Sequence, residues 1–263
     1  MFILARRHYD SSEEHYQKNA RKYWDNFYGR HKNKFFKDRH YLVKDWGSYF
    51  AGDSLFQNDK VVLEVGCGAG NTIFPLLASY PNLYVHACDF SPHAIDLVKS
   101  HPDFKEDSLN AFVCDVIHDD LSEKIDSSSI DIVTLIFTMS AVSPKEMPLI
   151  LRNIKRVLKP TGYVLLRDYA IGDFAQVKLQ DRKQMINENF YVRGDGTCSF
   201  YFSESFLSTL FSNAGFNAID INVYCKRIEN RSRLITMDRR WIRATFKSST
   251  FVAPDSASLL GVR

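Results

Sequence analysis

Apolar runs of four to eight residues alternate along the middle of the chain with stretches of helical period. Val61-Val-Leu-Glu-Val65 is a short apolar run that stops at a glycine, the mark of a buried strand. Residues 71–80 then have the period of a helix, and 83–88 of a strand. Ser91-Pro92 opens a second helix, to about Ser100, with proline in its first turn. Residues 111–114 read as a strand, and 130–137 as one too apolar to be half exposed, hence central. Pro144 opens a helix to Leu158, Lys159-Pro160-Thr161-Gly162 is a turn, and 163–167 is a strand. Upstream, 11–29 has helical spacing, with Ser11 or Ser12 as N-cap, Glu14 in the first turn and Gly29 as C-cap. Downstream, the polar and aromatic stretch 170–202 breaks the rhythm. A helix over 206–214 closes at Gly215, and strands over 219–225 and 241–246 are joined by a long polar loop. Alternating strands and helices with short connections predict an α/β fold with a mostly parallel, doubly wound sheet. The last pair adds an antiparallel edge.

Composition narrows the class. The 263 residues are 45% apolar and 25% charged, enough for one large α/β domain with an extension or for two small domains. The five cysteines are odd in number and none forms a CxxC pair, which argues against a disulfide framework and a zinc ribbon. They read as small apolar residues in a reducing compartment, so the expected location is cytoplasmic, with the nucleus left open. No apolar run approaches the roughly 18–20 residues that span a bilayer. At the start, Arg6 and Arg7 follow a very short apolar stretch, the reverse of a secretory signal. His40 has no partner at metal-ligand spacing, and no metal is expected.

The candidate chemistry begins at Glu64-Val65-Gly66-Cys67-Gly68-Ala69-Gly70-Asn71. Glycines at this strand-to-helix turn let the backbone come close to a ligand, where doubly wound folds bind nucleotides. A bare glycine triplet is weak evidence. Two acids strengthen it: Asp89 ends the second strand, placed for a ribose diol, and Asp115 ends the third, placed for an adenine amino group. Dinucleotide sites use GxGxxG; here the spacing is GxGxG, with Glu64 before it. S-adenosylmethionine presents a cationic amino acid and a sulfonium and has no pyrophosphate, so the acids Glu64, Asp89 and Asp115 fit it better than a dinucleotide.

The net charge of +3 hides a segregation. Residues 18–44 carry nine basic and two acidic residues, 226–247 carry eight and two, and the 61–225 stretch between them is net acidic. The first flank is interleaved with Tyr23, Trp24, Phe27, Tyr28, Phe35, Phe36, Tyr41 and Trp46, a composition suited to a polyanion with stackable bases. Charge alone favours a solvated helix face with core aromatics, and the flanks gain weight only if the middle of the chain does chemistry on a nucleic acid.

Several segments together resemble the tRNA 3-methylcytidine methyltransferases, within the methyltransferase-like group. They are Tyr23-Trp-Asp-Asn-Phe-Tyr28, Phe35-Phe-Lys-Asp-Arg-His40, Leu63 to Asn71, Ala87-Cys-Asp-Phe-Ser-Pro92, Leu135-Ile-Phe137, Leu158-Lys-Pro160, Arg167-Asp168-Tyr169 and Asn189 to Thr197. The resemblance spans about residues 18–247. It implies a Rossmann-like class I methyltransferase: a mostly parallel, doubly wound, seven-stranded sheet with an antiparallel edge strand and an N-terminal helical extension. The implied organisation is a basic, aromatic extension over 1–60 serving as cofactor lid and RNA contact. A methyltransferase domain follows over 61–247, with a substrate insertion at 170–202, and then a tail over 248–263. The implied product is 3-methylcytidine at position 32 of the tRNA anticodon loop. S-adenosylmethionine would be held by Glu64, Gly66, Gly68, Asp89, Asp115, Val116 and Ile136, with Trp24 and Tyr28 closing over it. Some relatives depend on a protein partner, an aminoacyl-tRNA synthetase among them. The sequence departs from the family at Cys198, where arginine is usual, at His93, where arginine is common, and at Ala170, where glycine is usual.

Cytosine N3 carries its own lone pair, so the reaction needs alignment and dryness rather than a strong base. A loop base is easily extruded and stacked on an aromatic ring. Methylation at N3 leaves a cationic ring that a carboxylate would stabilise. Asp168 is the candidate for that charge, Tyr169 or Phe190 for stacking, and Arg167 for a phosphate or the cytosine carbonyl; the bland alternatives are an Asp168–Arg167 ion pair and core aromatics. Lys32, Lys34, Lys37, Arg39, His40 and Arg193 complete the expected tRNA contacts, with Arg39 and His40 equally placed to orient the lid. Two rivals stand: a class I methyltransferase acting on a small molecule or protein, which leaves the basic flanks unexplained, and an inactive RNA-binding subunit, which leaves the acids and glycines unexplained.

Overall fold

The structure, a computed structural model, describes residues 12–51, 60–230 and 235–249. In chain order, helical segment α1 (12–18) and helices α2 (Ala20–His31) and α3 (Tyr41–Phe50) precede β1 (Val61–Val65). Then come α4 (Ile73–Ser79), β2 (Tyr84–Asp89), α5 (Pro92–Lys99), β3 (Leu109–Val113), β4 (Ile130–Ile136), α6 (Met147–Val157) and β5 (Leu158–Tyr169). Helix α7 (Phe174–Asp181) and the short strands β6 (Met185–Asn187), β7 (Phe190–Val192) and β8 (Cys198–Phe200) form the insertion. Helix α8 (Glu204–Asn213) and strands β9 (Phe216–Asn230) and β10 (Ile235–Ser248) complete the order.

Seven strands form one sheet in the order β3-β2-β1-β4-β5-β10-β9, with β4 at its centre. Strands β1 to β5 pair in parallel, and β10 runs antiparallel to both β5 and β9. The expected sheet and its antiparallel edge pair are therefore present. Successive residues of each central strand enter opposite cores. Val62, Ile132 and Leu165 pack on the face covered by α3, α4 and α5, while Leu63, Val133 and Leu166 pack on the face covered by α6 and α8. That period of two explains why β4 reads as unbroken apolar sequence: both of its faces are buried. Ser91 caps α5 by accepting from the Ala94 N–H at 3.2 Å, with Pro92 in the first turn as the sequence predicts.

Several expectations change. The helix expected over 11–29 breaks at Asn19, and Ser11 lies outside the described residues. Gly29 is not its cap: α2 runs on to His31, whose ring packs on Phe27 at 4.7 Å, and Lys32 ends it with φ 51°. Helix α3 is not among the elements the sequence predicts, because its aromatics read as polyanion contacts. Leu42, Trp46 and Phe50 instead bury one stripe at i, i+4, i+8 against the sheet, and Trp46 Nε1 donates to Thr245 Oγ1 at 3.0 Å. The helix expected from Pro144 begins at Met147. The turn over 159–162 lies within β5, as extra residues between Leu158, paired with Ile130, and Tyr163, paired with Ile132. The loop expected between the last two strands is mostly strand: β9 and β10 stay paired from Phe216–Ser248 to Asn230–Ile235, well past the last partner of β10 in β5, Tyr169.

Candidate active site

The loop after β1 carries Gly66, Gly68 and Gly70, all at positive φ (69°, 54° and 84°). At Gly66 a Cβ would strike the Thr138 side chain, and at Gly68 it would strike the Tyr28 hydroxyl. Glycine is required there because the loop is pressed between the end of β4 and helix α2.

Asp89, at the end of β2, fixes this loop. Its Oδ2 accepts from the Gly68 N–H at 3.0 Å and its Oδ1 from the Ser91 N–H at 2.9 Å. Burial pushes its carboxyl up to about 6, against the pull of those N–H groups. Asp115, after β3, accepts from the Ile117 N–H at 3.1 Å and lies 3.1 Å from His118 Nδ1, whose pKa it raises. Glu64 lies 2% exposed beneath the loop. Burial pushes it up to about 8, opposed by Arg39 and by a hydrogen bond from Thr72.

Gly66, Asp89 and Asp115 border a cavity of about 560 Å³ at the C-terminal ends of β1 to β4. Gly66, Asp89, Asp115 and Val116 form its floor. Gln17, Lys18, Arg21, Trp24 and Tyr28 close it from above, on α1 and α2. Phe137, Thr138, Val142, Glu146, Ile150, Phe190 and Cys198 line the far side. Phe137 sits at φ 57°, held by its N–H donating to the Arg167 carbonyl at 2.8 Å. A non-glycine residue in that region, directly after the central strand, is a local strain typical of functional sites.

The donor set fits S-adenosylmethionine. Asp89 and Asp115 retain lone pairs for hydroxyl and amine donors. Gly66 brings bare backbone to the cavity wall, and Glu146 adds a further acid to it, its pKa raised first by burial. Among the described residues no group of three or more His, Cys, Asp or Glu is placed to hold a metal ion. Among them, too, no helix is long and apolar enough to cross a membrane.

The structure gathers Trp24, Tyr28, Gly66, Asp89, Asp115, Val116 and Phe190 on this one cavity. Glu64, Gly68 and Ile136 lie behind its wall, the last with its carbonyl occupied by Arg39. The residues expected to touch the base need correction. Asp168 is 0% exposed, and its oxygens accept from the Ser140 and Tyr169 N–H groups, each at 2.9 Å. The alternative Asp168–Arg167 ion pair does not form either. Successive residues of a strand face opposite ways, and Arg167 points to α3, where Nη1 meets Asp45 Oδ2 at 2.6 Å and the guanidinium lies 3.7 Å from the Tyr41 ring centroid. Arg39 also turns inward, donating to the Ile136 carbonyl at 2.8 Å with its guanidinium 5.1 Å from the Phe137 ring. Tyr169 is half-buried behind Phe137, with ring centroids 4.9 Å apart, and Arg193 lies 5.9 Å from the Tyr169 ring.

Lys32, Lys34, Lys37 and His40 are exposed on the connection between α2 and α3, next to Phe35, which is 55% exposed. Among the described residues those three lysines form no ion pair. Three cations of the second basic flank are matched: Arg227 pairs with Asp238, Arg239 with Asp173, and Arg243 with Asp45 and Asp220. Arg231 and Arg233 lie outside the described residues. Sequence reasoning missed Gln17, Lys18, Arg21, Phe137, Thr138 and Glu146. Phe137 stands within a family motif that assigns it no role, and the others carry no local signature.

A family profile described as a methyltransferase domain matches residues 63–164. The chain is 40% identical over 247 residues to the tRNA N(3)-cytidine methyltransferase METTL6 of Rattus norvegicus, covering 93% of this chain and 86% of that one. It is 40% identical to the tRNA N(3)-methylcytidine methyltransferase trm141 of Schizosaccharomyces pombe, covering 89% of this chain and 94% of that one. Among solved structures, a SAM-dependent methyltransferase from Anabaena variabilis superposes with a TM-score of 0.66 at 13% identity, covering 88% of this chain and 95% of that one. One from Methanosarcina mazei gives 0.61 at 19%, covering 81% and 99%. At such identities the structures speak for the fold alone.

Proposed function

The chain belongs to the tRNA N3-cytidine methyltransferase family, and from that membership we propose that it methylates N3 of a cytidine in tRNA, at position 32 of the anticodon loop. The observation that carries the reading is the single cavity joining Gly66, Asp89, Asp115 and Val116 beneath Trp24 and Tyr28. Asp89 would take the ribose diol and Asp115 the adenine amino group, with the Val116 main chain beside it. Gly66 and Gly68 keep the backbone close, and Trp24 and Tyr28 exclude water. Bound there, S-adenosylmethionine supplies a methyl group activated by its sulfonium.

The protein's own part is positioning. The N3 lone pair needs no general base. Phe137, which lines the cavity with Tyr169 behind it, offers a stacking surface, and Arg193 beside Tyr169 is a cation for a base carbonyl or phosphate. Asp168 acts through others: it pins the Ser140 and Tyr169 N–H groups and so sets the loop after β4 against the tyrosine. Arg167 and Arg39 brace α3 and the end of β4. Lys32, Lys34, Lys37 and His40, with the exposed Phe35, form the tRNA-facing edge. Residues 1–60 thus combine lid, core helix and RNA edge, and 170–202 form the wall with Phe190 and Cys198. A protein partner such as an aminoacyl-tRNA synthetase would raise activity by presenting the tRNA. The proposed place of work is the cytoplasm, with the nucleus left open.

The test is transfer of labelled methyl to anticodon stem-loops that differ only at position 32. Cytidine-32 loops should be methylated and uridine-32 loops left unlabelled; equal labelling would refute the position.

A further inference from the structure

Asp25, on α2, reaches across to the N-terminus of α5. Its Oδ1 accepts from the Ser91 hydroxyl at 2.7 Å and from the His93 N–H at 3.1 Å, and its Oδ2 lies 2.8 Å from His93 Nδ1. None of these three residues borders the cavity. Ser91, however, also donates its own N–H to Asp89 Oδ1 at 2.9 Å. One fully buried serine therefore holds α2 through its hydroxyl and the candidate ribose carboxylate through its main chain. Resting on the cofactor reading above, we propose that Asp25 is a positioning residue for S-adenosylmethionine: it docks α2 on Ser91, and so couples closure of Trp24 and Tyr28 over the cavity to the placement of Asp89.

Trp24 and Tyr28 are four residues apart and share one face of α2, their rings stacked with centroids 6.0 Å apart. Asp25 follows the first by one residue and precedes the second by three. Pinning its carboxylate fixes the rotation of the helix about its axis, and with it the aim of both rings. Phe27 and Tyr28 cluster with Ala94 of α5, so an apolar contact lies beside the polar one. Tyr28 closes a second path to the same acid. Its hydroxyl fills the space that a Cβ at Gly68 would take, and the Gly68 N–H donates to Asp89 Oδ2 at 3.0 Å. Both oxygens of Asp89 are thus set by groups in contact with α2.

A carboxylate suits this place. The first N–H groups of a helix and its dipole favour negative charge. Burial alone would raise the pKa of Asp25, but the hydrogen bonds from Ser91 and His93 outweigh it and hold the carboxyl below its ordinary value. When α2 lifts, the Ser91 hydroxyl and the His93 N–H turn to water, which makes the clasp reversible.

The test follows S-adenosylmethionine affinity by calorimetry, and hydrogen–deuterium exchange of the full chain with and without the ligand. In the unmodified chain the ligand should slow exchange both in residues 20–31 and around Asp89. Asp25→Ala should weaken binding about tenfold, the scale of one charge-assisted hydrogen bond, and erase the slowing in 20–31. Asp25→Asn keeps one oxygen for Ser91 and should restore part of both; it carries the test if the alanine variant does not fold. Unchanged affinity, or exchange in 20–31 that rises equally with and without ligand, overturns the positioning role alone while Asp89→Ala abolishes binding. If the unmodified chain does not bind S-adenosylmethionine, the cofactor reading falls and takes that role with it.

Discussion

Arg39 Nη1 donates to the main-chain carbonyl of Ile136 at 2.8 Å, joining two residues 97 positions apart. The hydrogen bond ties the basic segment before α3 to the last residue of the central strand. The same guanidinium faces Phe137 and Phe36, at 5.1 and 5.9 Å from the ring centroids, and counters the buried Glu64. Arg39 is therefore a brace. Arg39→Ala should weaken S-adenosylmethionine binding and lower the melting temperature by several degrees. Titration calorimetry and thermal unfolding check both; loss of tRNA affinity alone would return Arg39 to the RNA surface.

Asp168 has no exposed surface and two backbone donors. Asp168→Asn puts an amide where an acceptor is needed and should cost about 1–3 kcal/mol of stability. For a chain of this size that is a fall of a few degrees in Tm, roughly 2–4 °C per kcal/mol. The turnover number should drop with little change in KM for tRNA, because the loop after β4 and Tyr169 shift together. A raised KM with unchanged stability would mark Asp168 as a direct base contact.

Lys32 and Lys34 are exposed and unpaired among the described residues, so their role is separable from the cofactor's. Lys32→Glu with Lys34→Glu should weaken tRNA binding and leave S-adenosylmethionine affinity unchanged. The plot of log affinity against log salt should flatten by about 0.7–0.9 for each phosphate that the chain no longer neutralises. An unchanged slope at matched salt removes this edge from the RNA site.

The buried acids set a pH dependence. Glu64 has a folded-state pKa of about 8 against an ordinary 4.5, so the folded chain keeps a proton that the unfolded chain releases. Stability contributed by that proton is present below the ordinary value and is lost as pH rises toward 8. Asp89 and Asp168, both near 6, act in the same direction at lower pH. The ligand-free protein should melt at a higher temperature at pH 6 than at pH 8, and Glu64→Gln should flatten that slope. A rise in Tm from pH 6 to 8 would contradict the burial argument.

The parts of the molecule readable in the sequence are those whose cause is local. The strand-to-helix turn at Gly66 to Asn71, the acids at strand ends and the Ser91 cap each follow from a short run of residues. The rest depends on contacts between distant segments. Trp46 reads as an RNA-facing aromatic until Thr245 meets its indole N–H. Arg39 and Arg167 read as RNA contacts because charge is visible in a sequence and its partner is not; Ile136 and Asp45 satisfy them from far along the chain.

The central claim is tested most directly by methyl transfer from labelled S-adenosylmethionine to total tRNA, followed by mass spectrometry of the nucleosides. The predicted result is 3-methylcytidine that disappears with Asp89→Ala. Label appearing in another nucleoside, or 3-methylcytidine persisting in Asp89→Ala, would contradict the account.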